Sequence, residues 1–436
     1  MSNPGAAVTP PAGHRSRYRQ LRPGPGKKRE EVLANQRSRI LAATIEVVAE
    51  QGYGSAKVSH IAQIAGVSKA SFYEQFSGKD ECVTAACDTA LRAAASAVLR
   101  GESRGGEGRD RMRAGLTALA DLMAAQPKAT KLVLVDGVAS TPAIREHLHK
   151  RFGLFEALVH DRLAATGPAE PPRQLIAGLV RGIAHHARRC VGAGSPERFR
   201  ELVDPLLDWG LGFRCDEALQ PCRAPAAPIH PDGEAGPGPP TYDGTRPPGN
   251  TRELLMVGAL RLASREGFAA LTPSAIRRAA GVSRRSFDAN FDDAAGCFLA
   301  AVEAELEARF TRSLRQGEAE PSWSGRTAVT LDRFACSLAG APDLARLAFT
   351  VTLEAAPASL AWRERLIATW AAALYEDAPT GSRPRAAAGE AAIAAIWGFV
   401  ADLVTARRLH LLPTQTSRLT FFALTPTMSG EAEARL

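Results

Sequence analysis

The chain has 436 residues, of which 45% are hydrophobic, 6% aromatic and 23% charged. This length exceeds what one compact core usually holds, so we expect two or more domains. The composition excludes a fibrous or wholly disordered protein. The formal net charge of +8 is compatible with a nucleic-acid partner.

The first 35 residues are predicted to form a basic, disordered arm. Nine Lys or Arg residues and two Glu residues lie between Met1 and Arg39, a local net charge of +7. Such an arm can follow DNA phosphates or enter a minor groove. A solvated tail without DNA contacts is the alternative. The N-terminus lacks the apolar segment of an export signal.

Seven cysteines are scattered along the chain without C-x-x-C or His/Cys zinc spacing. They are typical of reduced thiols, so no metal site is predicted. The most apolar window, Ala391 to Ala401, is stopped by Asp402 and is too short to span a bilayer. We therefore expect a soluble, cytoplasmic protein with no membrane partner.

Apolar spacing after the arm predicts two helices that lead to a tight turn. The first runs from Ile40 to Glu50 and stops at Gly52. The second runs from Val58 to Ala65 and stops at Gly66, because glycine adopts a left-handed backbone without strain. This pair followed by a third helix is typical of a helix-turn-helix.

The third predicted helix runs from Ser68 to Phe76 and has two different faces. Ser68 is expected to cap it, and Phe72 and Phe76 anchor it on the second helix. The opposite face is polar and can donate to phosphates and base edges in a major groove. The predicted recognition helix therefore presents Lys69, Ser71, Tyr73 and Gln75.

From Ile61 to Asp80 the pattern I-A-x-x-A-G-V-S-K-x-S-F-Y-x-x-F-x-x-K-D resembles the DNA-binding signature of the TetR/AcrR family of bacterial repressors. The resemblance implies an all-α fold, with a helix-turn-helix domain (36–96) followed by a helical ligand-binding and dimerisation body (97–217). The implied DNA-binding residues are Lys57, Ser68, Lys69, Ala70, Ser71, Tyr73, Gln75 and Lys79. Lys57 replaces the usual Ser or Thr, so Ser55 or Ser59 is expected to cap the second helix.

The body is predicted to be helical throughout, with proline-rich breaks. A long helix from Lys79 to Arg100 precedes a Gly/Arg loop, Gly101 to Arg109. Two amphipathic helices follow later, Arg173 to Cys190 and Glu197 to Phe213. In family members the last two helices dimerise, although these two could instead close the core of their own domain.

Residues 218–250 form a Pro/Gly-rich linker, after which the sequence repeats. A shift of 215 positions lays Ala280-Gly281-Val282-Ser283 on Ala65-Gly66-Val67-Ser68, and Phe287 and Phe291 on Phe72 and Phe76, without a gap. This register predicts two TetR-like halves in tandem. The second half comprises a helix-turn-helix domain (251–311), whose second helix starts at the cap Thr272, and a second body (312–436).

The second helix-turn-helix lacks groups with which the first is expected to hold DNA. Asp288 replaces Tyr73 and Ala294 replaces Lys79, while Asp292-Asp293 replaces Ser77-Gly78. Carboxylates repel phosphates, so a degenerate scaffold is favoured. A working reader with altered specificity is the alternative, with Arg284 and Arg285 as its DNA contacts.

No convincing catalytic motif is found. G-x-S-x-G occurs at Gly101 to Gly105, but in a polar loop rather than between a strand and a helix. The adjacent His185 and His186 are expected to point in different directions and not to chelate together. Trp362, Trp370 and Trp397 could line a ligand cavity, but packing is the simpler interpretation.

The sequence thus predicts a DNA-binding transcriptional regulator, a repressor released by an unidentified small molecule, with no cofactor. Its expected partners are a double-stranded DNA operator and a second TetR-like half, in a homodimer or an intrachain pseudo-dimer. The alternative is a ligand sensor or adaptor that acts through protein partners without specific DNA binding. A helical enzyme would need a catalytic site that the sequence does not reveal.

Overall fold

The computed structural model describes residues 29–164, 173–211, 250–379 and 386–427. Within these ranges the regular structure is helical and contains no strand, which confirms the all-α prediction. Residues 1–28 of the predicted arm and 218–249 of the predicted linker lie outside the described residues.

Nine α-helices lie within the described residues of the N-terminal half. They are α1 (Arg29–Ser55), α2 (Val58–Ala65), α3 (Lys69–Tyr73), α4 (Lys79–Glu102), α5 (Gly108–Ala125), α6 (Pro127–Lys131), α7 (Pro142–Ala164), α8 (Arg173–Gly192) and α9 (Val203–Leu211). A π-helical turn, Leu132–Asp136, precedes α7, and a 3-10 segment, Pro196–Leu202, precedes α9.

Three boundaries in this half differ from the prediction. Helix α1 begins at Arg29, so residues 29–35 are helical rather than part of a disordered arm. Helix α4 runs through Glu102, and Gly101 is buried because it lies directly against Ala114 and Ala118 of α5. The predicted Glu197–Phe213 helix is a 3-10 segment followed by α9.

In the C-terminal half, residues 250–379 and 386–427 form nine further α-helices. They are α10 (Thr251–Glu266), α11 (Pro273–Ala280), α12 (Arg284–Asp288), α13 (Ala294–Gly317), α14 (Trp323–Ala339), α15 (Pro342–Phe349), α16 (Ala358–Tyr375), α17 (Ala386–Thr405) and α18 (Thr416–Leu424). The bounds of α11, α12 and α13 lie 215 positions after those of α2, α3 and α4.

The two halves pack together through α8 and α9 of the first and α17 and α18 of the second. The closest approach is at Gly182 of α8, where an added Cβ would lie 2.4 Å from Trp209 Cη2 and 2.7 Å from the Ala391 carbonyl oxygen of α17. A Cβ on Gly178 would lie 2.3 Å from the Phe422 ring. The glycines of α8 therefore allow its backbone to pack directly against residues of the second half.

Two helices are long and apolar enough to cross a membrane on length and composition alone: α4 and α17. Helix α17 extends beyond the Ala391–Ala401 window considered in the sequence, and most of its apolar segment is buried inside the protein. Burial against α8 explains its composition, since a helix packed on several sides is apolar all round.

Candidate DNA-reading surface and effector cavity

The turn between α2 and α3 is held by local backbone geometry and two buried rings. Gly66 has φ 63° and ψ 41°, the left-handed conformation that ends α2. Ser68 caps α3 by accepting a hydrogen bond from Ser71 N at 2.9 Å, as predicted. Phe72 and Phe76 are buried, with ring centroids 5.7 Å apart. Helix α3 has only five residues, so these contacts rather than its length fix it.

Two arginines of α1 hold α2, α3 and the turn between them in place. The sequence analysis counts both arginines with the basic arm. Arg37 lies over the Phe76 ring at 4.3 Å and donates to Gln75 O at 3.1 Å. Arg39 is buried and donates to Ala65 O at 2.9 Å and to Gly66 O at 2.7 Å. A cation at these carbonyls stabilises the C-terminus of α2.

The predicted DNA-binding residues do not all lie on one exposed face. Ser68, Lys69, Ala70 and Tyr73 are exposed, and Tyr73 has 56% of its surface in solvent. Ser71 and Gln75 are half-buried beside them. Lys57 is the exposed N-cap of α2 and makes no side-chain cap hydrogen bond. Neither Ser55 nor Ser59 takes that place, contrary to the prediction.

Lys79 is held inside the protein by Tyr53. Its ammonium lies 4.1 Å from the centroid of the Tyr53 ring and donates to Tyr53 O at 2.8 Å. The Tyr53 hydroxyl donates to Asp80, which also accepts from Thr141 Oγ1 at 3.3 Å. Burial and the Asp80 carboxylate raise the pKa of Tyr53. We call this group the Asp80 junction: it joins the helix-turn-helix domain to the start of α4 and to the residue before α7.

The second helix-turn-helix is built in the same way. Thr272 accepts from Ala275 N at 3.1 Å as the predicted cap of α11, and Gly281 has φ 68°. Arg252 repeats the role of Arg37, lying 4.2 Å over the Phe291 ring and donating to Asn290 O at 2.9 Å. The fold of this unit is thus intact even where its exposed residues differ.

The exposed side chains of this second unit differ from those of the first. Arg284 and Arg285 are exposed at the start of α12, and Arg284 lies 3.5 Å from Asp288. Asp293 accepts from Gly296 N at 2.6 Å and caps α13. The Asp293 carboxylate therefore has a structural role as a helix cap, whereas the sequence analysis considers only its repulsion of phosphate.

A cavity of about 170 Å³ lies in the first body and is lined by residues of helices α4 to α9. Its wall is mostly aliphatic and aromatic, with Ala94 of α4, Leu119 of α5 and Phe155 of α7 among the lining residues. The polar groups include Glu102 and Arg162, which are joined by a hydrogen bond of 2.9 Å. An engineered apolar cavity of about 150 Å³ binds benzene or xenon, so this space suits a small apolar group.

His185 and His186 lie at the contact between the halves, close to Glu390. The two side chains lie near each other, whereas the sequence analysis expects them to point in different directions. One ligand atom from each of the three residues lies within 4.8 Å of the others. His185 is buried with neither ring nitrogen hydrogen-bonded, and burial lowers its pKa well below the usual value. His186 Nε2 bonds Ala387 O at 2.7 Å.

The charges around these histidines oppose a divalent cation. Arg189 pairs with Glu390, Arg188 lies 3.3 Å from Glu364, and Arg363 lies close enough to Arg188 for the two charges to interact. Three cations and two anions give this cluster a positive surplus, and like charges repel. We therefore assign no metal to it.

The comparisons with known proteins agree with the helix-turn-helix geometry. The model of the family described as "Bacterial regulatory proteins, tetR family" matches residues 40–86, which span α2, α3 and parts of α1 and α4. An uncharacterised HTH-type transcriptional regulator of Mycobacterium tuberculosis is 27% identical over 144 residues, 33% of this chain and 72% of the relative. The N-terminal helix-turn-helix of this chain is thus similar to the TetR family.

Other TetR-like proteins match less than half of the chain. The HTH-type transcriptional activator FasR of Mycolicibacterium smegmatis is 28% identical over 197 residues, 44% of this chain and 90% of FasR. Among solved structures, the fatty acid degradation regulator FadR of Bacillus halodurans covers 40% of this chain and 97% of its own, at 19% identity and a TM-score of 0.36. FadR of Bacillus subtilis, solved in complex with stearoyl-CoA, covers 39% and 96%, at 16% identity and a TM-score of 0.35.

The chain is thus a helix-turn-helix transcriptional regulator, and the relatives found by sequence are named as regulators rather than enzymes. The G-x-S-x-G string agrees with this, because it lies at the C-terminus of α4 instead of in a strand-to-helix turn. The Ser103 hydroxyl donates its proton to the Arg100 carbonyl oxygen at 2.9 Å, whereas an activated nucleophile donates to a general base.

Proposed function

We propose that this TetR-like protein is a cytoplasmic repressor that binds its operator through α3 and is released by a small apolar effector. The main observation in support of this proposal is the exposed face of α3. Lys69 and Tyr73 project from a helix whose other side is fixed by two buried phenylalanines. A rigid helix with exposed donors fits a major groove.

Lys69 is proposed to contact phosphate and Tyr73 to contact phosphate or a base edge. A phosphate contact weakens binding to all sequences alike when it is removed, whereas a base contact changes the sequence preference. Lys79 acts differently from the other proposed contacts, because its ammonium is already bonded to Tyr53. Its share in DNA binding is to hold α4 against the helix-turn-helix domain.

We further propose that the chain is an intrachain pseudo-dimer formed by tandem duplication. The halves share helix bounds 215 positions apart, and they pack through the helices that pair in dimers of the family. One chain would then place two helix-turn-helix units on one operator.

The charges at this contact support pairing within the chain. Arg181 of α8 lies 2.6 Å from Asp402, Arg188 pairs with Glu364, and the Arg189 partner is Glu390. Each cation is on the first half and each anion on the second. In a symmetric pair of first halves, α8 would face its own copy and bring arginines together. The arrangement therefore favours the second half as partner.

Alanine substitutions in a gel-shift assay test the proposal. Tyr73→Ala is expected to weaken operator binding about 5- to 150-fold, since one good base contact is worth about 1–3 kcal/mol. The matched control is Arg284→Ala with Arg285→Ala on α12, which is expected to weaken binding less. Equal losses would show that the second unit reads DNA as strongly as the first.

Light scattering of the full chain tests the pseudo-dimer. The expected mass in solution is that of one chain, 46.2 kDa. A mass of two chains, with α8 of one chain protected by the other in hydrogen exchange, would contradict intrachain pairing.

A further inference from the structure

The two bodies use corresponding helices but fill their interiors differently. In the first body the cavity is lined by Ala94, Leu119 and Phe155. The residues 215 positions later are Arg309 on α13, Phe334 on α14 and Trp370 on α16. Each replacement is larger than the residue it corresponds to. At these three positions the second body thus carries bulkier side chains than the first.

All three side chains are buried, and the two aromatic ones pack against each other. The Trp370 ring stacks on Phe310 with centroids 4.5 Å apart and planes at 13°, and it meets Phe334 edge-on at 5.2 Å. Both arrangements are favourable for aromatic pairs. The tryptophan is therefore a packing residue, in agreement with the simpler sequence interpretation.

Arg309 occupies the remaining part of this region. Its Nη1 donates to Ser337 O at 3.0 Å and to Ser337 Oγ at 2.8 Å. Ser337 corresponds to Leu122, another lining residue of the first-body cavity. Where the first body has the apolar Ala94 and Leu122, the second body thus has Arg309 and Ser337, which are joined by a hydrogen bond. Opening this region would break that pair and leave polar atoms buried.

The connection from body to helix-turn-helix also differs between the halves. The Asp80 junction of the first half joins Tyr53, Asp80 and Thr141 by hydrogen bonds. The corresponding residues of the second half are Phe268, Ala295 and Ala356, whose side chains cannot form such bonds. A change in α4 or α7 is therefore transmitted by polar contacts that the second half lacks.

Another connection is retained in both halves. Lys131 Nζ donates to Ala49 O at 2.6 Å, and Arg346, 215 positions later, donates to Ser264 O at 2.8 Å. Both bonds tie a body to the first helix of its helix-turn-helix domain. The second body is therefore attached to its domain, but it carries bulkier side chains at three cavity positions and no hydrogen-bonding side chains at the junction positions.

We propose that the chain takes up one effector molecule, in the first body only, and that the second body is a fixed partner that takes up none. This rests on the proposed function, in which effector binding controls DNA binding. The effector then moves one recognition helix relative to a second that stays in place. Binding is expected to be non-cooperative with a stoichiometry of one per chain.

Xenon binding to crystals of the full chain tests this, because xenon enters apolar cavities of this size. We expect xenon beside Leu119 and Phe155 in the wild type and none beside Phe334 and Trp370. A reciprocal exchange sharpens the test. Leu119→Phe with Phe155→Trp should abolish the first site, and Phe334→Leu with Trp370→Phe should create one in the second body.

Xenon in the second body of the wild type, or absent from the first, would overturn the proposal. The wild-type result decides this even where an exchange variant does not fold. A gel-shift assay of the same wild-type protein tests the proposed function independently. Failure to bind any operator in that assay would refute the proposed regulator, whereas the xenon sites test only the proposal about the two bodies.

Discussion

Gly182→Ala is the sharpest test of how the two halves meet. The new methyl group would lie 2.4 Å from the buried Trp209 ring and 2.7 Å from the Ala391 carbonyl oxygen. The carbonyl belongs to the backbone of α17, so α8 and α17 have to move apart. Overpacking of this kind costs about 1–3 kcal/mol. An alanine in place of a helical glycine regains about 0.5–1 kcal/mol through backbone entropy.

The matched control is Gly153→Ala in α7, where an added Cβ meets nothing within 4 Å. It receives the same entropic gain without the clash, so the two variants should differ by the overpacking energy of about 1–3 kcal/mol. At roughly 2–4 °C per kcal/mol for a body of 150–250 residues, thermal unfolding separates them by several degrees. We expect Gly182→Ala below the wild type and Gly153→Ala above it. A Gly182→Ala protein as stable as the control would refute the contact.

Three further predictions concern buried side chains. Phe72→Ala should destabilise the helix-turn-helix by about 3–5 kcal/mol and abolish operator binding, as measured by denaturation and gel shift. Burial lowers the pKa of His186 from 6.5 to about 4, so between these values the unfolded chain binds more protons than the folded one. Between pH 6.5 and 4 the wild type should therefore lose about 3 kcal/mol more unfolding free energy than His186→Asn, which keeps the buried His185; equal losses in the two proteins would contradict this. Burial raises the pKa of Cys87 to about 12, so iodoacetamide should label the exposed Cys336 first, with the reverse order by mass spectrometry counting against the packing.

The positions of the helices followed from the sequence where local signals were strong. Gly66 and Gly281 mark left-handed turns, and the bounds of α2 and the start of α11 were predicted correctly. The start of α1 was missed because Arg29 to Asn35 was grouped with the basic arm, although Glu30 and Glu31 lie in the first helical turn, where acidic residues are favoured. The end of α4 was missed because Gly101 looked like a loop residue, whereas α5 packs against it.

The site was predicted in residue type but not in contacts. Arg37, Arg39 and Lys79 look like DNA-binding cations in a linear sequence, yet each bonds a carbonyl oxygen of this protein. The internal repeat contains a signal that could have identified the structural role of Arg37. Arg252 stands 215 positions after Arg37, and an arginine at the same position in both halves favours a shared structural role. The cavity depends on which side chains face inward across several helices, and periodicity alone does not determine that.

Binding of the full chain to a library of genomic fragments tests the central claim, that α3 presents a DNA-reading surface. Measured at low ionic strength and without effector, the account predicts a fragment bound at least about a thousandfold more tightly than random DNA. Tyr73→Ala should reduce that preference. Equal affinity for every fragment, with only the steep salt dependence of charge attraction, would contradict the account.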